Sequence, residues 1–132
     1  GAAADKPPVI AGFIPDLAGA IVVTTPSEVA SDVVQKSVTY ARDIGIKVMG
    51  MVENMSGFIC PDCGKKYDIF GSGGGQREAD RLKAPLLGQV PIDIPTREAG
   101  DKGAPIVIAD PESAVAKSFA DIARKLSTVL PV

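Results

Sequence analysis

The order of apolar and polar positions divides this chain into short elements. Residues 20–23, Ala-Ile-Val-Val, and the stretch 47–54, Lys-Val-Met-Gly-Met-Val-Glu-Asn, are continuous apolar runs rather than alternating ones. Such runs are expected of strands buried on both faces, as in a parallel sheet covered by helices. Between them, Thr25-Pro26-Ser27-Glu28 has the form of a helix start. Thr25 serves as N-cap, Pro26 stands in the first turn and Glu28 closes a capping box. The helix that follows places Val29, Ala30, Val33, Val34, Val38 and Ala41 on one face and ends at Gly45. Strand, helix and strand in this span predict a βαβ unit with a right-handed crossover.

Further along, the glycine-rich stretch 71–75 leads into a short polar helix ending near Lys83, and Leu86–Val90 reads as a third strand closed by Pro91. Residues 94–103 read as a helical turn and loop, and Pro105–Asp110 as a short strand. Asp110-Pro111-Glu112 has the form of an N-cap and first turn. The C-terminal helix that follows carries the stripe Val115, Phe119, Ile122, Leu126 and Val129. The class is therefore α/β: one domain over residues 1–132, a parallel β-sheet with flanking helices. Its first strand leaves an open apolar edge, which is an aggregation hazard. Either the proline-broken lead-in covers that edge, or the chain is the second half of a larger α/β domain.

Composition narrows the chemistry. There is no histidine among the 132 residues, which removes the commonest general base, the histidine-bearing triads and every mixed Cys/His zinc site. Fourteen Lys and Arg against 16 Asp and Glu give a net charge of −2, and this balance points to neither nucleic acid nor an anionic membrane. The opening residues lack the basic and apolar regions of a signal peptide, and no apolar run has the length of a membrane span. A cytoplasmic, reducing setting is the expectation. There, two neighbouring cysteines bind metal or do redox work more often than they form a structural bridge.

The only two cysteines, Cys60 and Cys63, stand in the knuckle Cys-Pro-Asp-Cys-Gly-Lys. Pro61 stiffens the turn, Gly64 lets the backbone fold beneath a metal, and N–H groups aimed at the thiolates lower their pKa values. Gly57–Ile59 before and Lys66–Phe70 after read as two short strands, making a cysteine-bearing hairpin of about residues 56–71. A metal site is favoured over unliganded thiols or a local disulfide. A thioredoxin-like dithiol fits less well, because that motif opens a helix whereas a β-like segment follows Cys63. A closed thiolate site takes four ligands, and one knuckle supplies two. Asp62 or Asp68 could contribute, but thiolate pairs are usually completed by soft ligands. A second copy related by a two-fold axis would complete a four-thiolate site. The knuckle itself suits either zinc or an iron–sulfur cluster.

Two other features invite a ligand. Gly71–Gly75 precede a helix as anion-binding glycines do, but they do not match GxxxxGK[ST], and a flexible connection back to the sheet is the favoured reading. Asn54 ends the second strand, where ligands of open parallel sheets bind. Its paired donor and acceptor suit a base edge, although asparagine is also a routine turn residue.

In order and spacing, residues 19–30, 48–64, 68–75 and 85–107 together resemble the Mrp/ApbC family of deviant P-loop ATPases, iron–sulfur cluster carriers related to MinD. The resemblance covers nearly the whole sequence and implies the C-terminal half of such an ATPase domain. It implies a homodimer with a [4Fe–4S] cluster bridged by Cys60 and Cys63 of each copy, transferred to recipient apo iron–sulfur proteins. The alternative is a zinc clip that merely joins two subunits. It also implies a nucleotide site at the carboxyl edge of the sheet, with Asn54 contacting adenine and the loop from Pro91 to Asp93 nearby. The family's Walker A loop and Asp-x-Pro-Pro-Gly segment have no counterpart in these 132 residues. ATP and Mg²⁺ are therefore expected only if an N-terminal half is supplied, and no catalytic residue is assigned.

Overall fold

The computed structural model describes residues 12–130. Three strands, β1 (Ala20–Thr24), β2 (Val48–Glu53) and β5 (Leu86–Gln89), form a parallel sheet in the order β1-β2-β5. Two more, β3 (Phe58–Ile59) and β4 (Lys66–Tyr67), pair antiparallel as a separate hairpin. Among the described residues, helices α1 (Ser31–Asp43), α2 (Gly74–Leu82), α3 (Ile94–Asp101), α4 (Ile106–Ala109) and α5 (Ala114–Val129) accompany them. No helix among the described residues is long and apolar enough to cross a membrane.

The core lies on the two faces of the sheet. On one, Val34 of α1 and Ala79 of α2 pack against Met51, with Val22 and Leu86 at the margin. On the other, Val115 and Ile122 of α5 join Val52, Leu87, Val90, Ala99 and Ile106. Strand β2 is central, so Met49 to Glu53 are buried without interruption, as its unbroken apolar pattern requires.

Strand β1 departs from that pattern. Its residues alternate, and Val23 is 61% exposed with Ile21 also open, because α5 covers β5 and β2 but stops short of β1. Among the described residues β1 pairs only with β2. Of that lead-in, residues 12–18 add no strand to the free edge and leave Phe13 84% exposed, and residues 1–11 lie outside the described residues.

Several helix boundaries also move. Ser27, not Thr25, is the N-cap, accepting from the Val29 N–H at the start of a 3₁₀ turn over Glu28–Ala30. The α-helix proper begins at Ser31, which leaves Val29 88% exposed in the turn. Val33 is 66% exposed because it stands about 100° around the helix from buried Val34. The helix ends as expected, with Gly45 at φ +79° and the Ile46 N–H returning to Ala41 O.

Residues 94–101 form a two-turn helix rather than a turn and loop, since Asp93 accepts from the Thr96 N–H and Pro95 sits in the first turn. The expected strand at 105–110 is one turn of helix, with the Ala109 N–H bonded to Pro105 O, Ile106 buried and Ile108 exposed. So short an apolar run carries no period that separates the two states. Asp110 does not cap α5. Ser113 does, accepting from the Ala116 N–H. Of the C-terminal stripe, Val115 and Ile122 are buried and Leu126 packs beside them, while Phe119 is exposed.

Candidate metal centre

The hairpin grows directly out of the sheet. After β2 the chain turns through Asn54–Gly57, with Met55 in the left-handed region at φ +56°, and continues as β3. The segment following β5 runs beside this turn. The Ser56 N–H bonds Val90 O, Ile92 N–H bonds Gly57 O, and Ile59 N–H bonds Ile92 O. Cys60 is thus the first residue beyond a bonded ladder. Its own N–H donates to Lys65 O, and the Gly64 N–H donates to Cys60 O, closing the knuckle. Gly64 holds φ +73°, where a side chain would be strained, so the glycine is what makes this tight return possible. At the base, the Lys65 ammonium sits 5.2 Å from the centre of the Tyr67 ring.

Both thiols are free, Cys60 half-buried and Cys63 exposed. The backbone N–H of Cys63 holds Cys60 below the ordinary thiol range, helped by the N–H of Asp62 and by the Cys63 side chain, against a small opposing effect of burial. The thiolate is the ligand form for soft metals, so this donor set fits one. Among the described residues no three Cys, His, Asp or Glu side chains gather into a metal-binding group, so neither Asp62 nor Asp68 completes the pair within one chain. One consequence is measurable. In metal-free Cys63→Ser, which keeps the backbone donors, alkylation of Cys60 is expected to rise with pH through a midpoint below that of an unstructured cysteine peptide. A midpoint at or above the peptide's would show that the knuckle amides do not stabilise the thiolate.

Of the residues expected to face a nucleotide, Asn54 and Pro91 lie in adjoining segments. Asn54 is exposed at the carboxyl end of β2, its N–H bonded to Thr24 O at 2.7 Å. Pro91 lies in the segment bonded to the same turn. Asp93 is buried and its carboxyl Oδ1 is occupied as the cap of α3, 2.9 Å from Thr96 N.

The glycine stretch is neither a phosphate loop nor a slack connection. Gly74 and Gly75 are buried at the start of α2, and a Cβ on Gly74 would stand 2.3 Å from Pro26 O. The Gly75 N–H meets an anion from the protein itself, Oε1 of Glu53 at 2.8 Å. Glu53 is 1% exposed and also accepts from Ser56 Oγ at 2.5 Å and Gln89 Nε2 at 3.0 Å, both on Oε2. Sequence reasoning assigned Glu53 no role. Its signal was an acidic residue closing an unbroken apolar strand, a position that requires donors from elsewhere.

Comparison with known proteins matches this chain to a ParA family model, described as the NUBPL iron-transfer P-loop NTPase, over residues 3–127. A protein of Methanocaldococcus jannaschii named iron-sulfur cluster carrier protein is 50% identical over 106 residues, 80% of this chain and 37% of that protein. One of the same name from Saccharolobus solfataricus is 44% identical over 121 residues, 92% of this chain and 41% of that protein. The chain therefore spans about two-fifths of the length of these curated relatives. Among solved structures, a nucleotide-binding protein of Archaeoglobus fulgidus in complex with ADP superposes with a TM-score of 0.68 at 31% identity, over 87% of this chain and 45% of that one. The cell division ATPase MinD of Pyrococcus furiosus gives 0.67 at 25% identity, over 85% and 43%.

Proposed function

The chain belongs to the ParA family of NUBPL-type iron-transfer P-loop NTPases, and from that premise we propose that it holds an iron–sulfur cluster between two copies and passes it to recipient apoproteins. The observation that carries this reading is the knuckle: two free thiols, one exposed, at the tip of a hairpin tied to the sheet, with no third ligand gathered beside them among the described residues. Two such pairs make four thiolates, the number a [4Fe–4S] cluster takes. An exposed tip shared across an interface suits a cargo that must leave again. The working place of such a carrier is the cytoplasm.

On the same reading the chain is the C-terminal half of an ATPase domain, with the hairpin as its cluster-holding part. The exposed Ile21 and Val23 and the free edge of β1 are then the surface on which a P-loop half would dock. Asn54 and the Pro91–Asp93 loop form the base-facing rim of a nucleotide site whose phosphate contacts come from that other half.

The test is reconstitution without oxygen, using ferrous iron and sulfide. The chain is expected to turn brown with broad visible absorption and to hold about four irons and four sulfides per dimer. A protein that stays colourless and keeps one tightly bound zinc per dimer would replace the carrier with a structural clip.

A further inference from the structure

Both legs of the cysteine hairpin end on one buried side chain. Ser56 lies on the outgoing leg, between Asn54 and β3, and Gly75 lies where the returning leg enters α2. Each donates to the carboxyl group of Glu53, and Gln89 at the end of β5 supplies a third donor. We propose that Glu53 is a positioning residue for the knuckle, a clamp that fixes where Cys60 and Cys63 stand relative to the sheet.

The chemistry favours a clamp over simple filling. A carboxyl group enclosed at the end of a buried strand is costly unless its oxygens are satisfied, and here three donors reach it. Those donors come from three separate elements, so the group is satisfied only when all three converge. The approach leaves no slack: a Cβ on Gly75 would stand 2.8 Å from the Glu53 Cβ. Between the two anchors, residues 57–74 are held to the rest of the fold chiefly by the backbone ladder to Ile92 and by the buried seat of Gly74 against Pro26. Releasing the anchors lets the hairpin swing on that ladder. Two thiolates that must meet two others across an interface then lose their preorganisation. This functional consequence rests on the carrier reading, whereas the clamp itself does not.

Two measurements separate these. In the metal-free chain, hydrogen exchange is followed at the amides of Cys60 and Gly64, which close the knuckle. In the reconstituted chain, the rate of cluster loss to an iron chelator is followed. Glu53→Gln replaces one of the two accepting oxygens with an N–H₂, so at least one anchor must reverse or lose its hydrogen bond. It is expected to speed both processes about tenfold, the scale of a buried hydrogen-bonding group left unsatisfied. Ser56→Ala removes a single anchor and is expected to act in the same direction, about threefold. The exchanged pair Glu53→Gln with Gln89→Glu restores one acceptor facing one donor and is expected to recover most of the loss. Val115→Ala, on the far face of the core, lowers global stability without touching the hairpin and is expected to leave both rates unchanged.

The clamp is overturned if Glu53→Gln leaves knuckle exchange as it was, or if Val115→Ala speeds it equally. Should Glu53→Gln not fold, unchanged exchange in Ser56→Ala overturns it. A wild-type chain that takes up no cluster would sink the carrier reading alone, since the exchange experiment uses no metal.

Discussion

Cys60→Ser and Cys63→Ser are each expected to abolish stable cluster binding and, with it, the metal-dependent dimer. A single replacement in the gene removes one ligand from each copy, so a shared site loses two of its four thiolates at once. Serine has nearly the same shape, but its hydroxyl stays protonated and hard where a soft thiolate is required. The effect should therefore be close to complete rather than graded, with iron per chain falling to the level of a protein without a site. Iron content and sedimentation are measured together, on loaded and metal-free samples, because other surfaces can also bring copies together. Loss of iron with an unchanged metal-dependent dimer would mean that the site does not bridge subunits. Folding should be spared, since both side chains sit at the hairpin tip outside the two core clusters.

The second large effect concerns nucleotide. This chain by itself is expected to hydrolyse no ATP above background and to bind it weakly at best. Most nucleotide affinity, and all stabilisation of the transferring phosphoryl group, comes from donors and metal around the phosphates. The sequence contains no GxxxxGK[ST], and the glycine amide best placed to attract an anion, that of Gly75, is already bonded to Glu53. What remains at the carboxyl edge is Asn54, Pro91 and Asp93, with one oxygen of Asp93 committed to capping α3. Phosphate release by the purified chain is the measurement. Robust turnover that Asn54→Ala abolishes would show a working site that these residues do not account for.

Much of this architecture is legible in the sequence. The runs at 20–23 and 47–54 marked two strands, Leu86–Val90 marked the third to within one residue, and Gly45 marked the end of the first helix. The pairing of β3 with β4 is readable because proline, glycine and two cysteines at that spacing leave the backbone few alternatives. Where local signals compete, residue order alone does not choose between them. Thr25 and Ser27 both offer a cap hydroxyl, as Asp110 and Ser113 both offer a cap oxygen, and packing of the following helix chose the later residue each time. The apolar run at 105–110 was too short to show a period, and burial of Ile106 alone among its neighbours settled it as helix.

What sequence determined by itself was chemical: two cysteines and no histidine, a tight turn to present the thiols, and apolar strands that demand cover. These follow from residue identity and near-neighbour spacing, which folding does not alter. What only tertiary structure decided was which long-range partners meet. Glu53 is 22 residues from Gly75 and 36 from Gln89, and no local pattern announces that their hydrogen bonds converge on one carboxyl group. Nor could the pattern of β1 reveal that α5 would stop short of it, leaving Val23 open to solvent. Convergence of this kind is a property of the packed chain, because each contact exists only once every other element has taken its place.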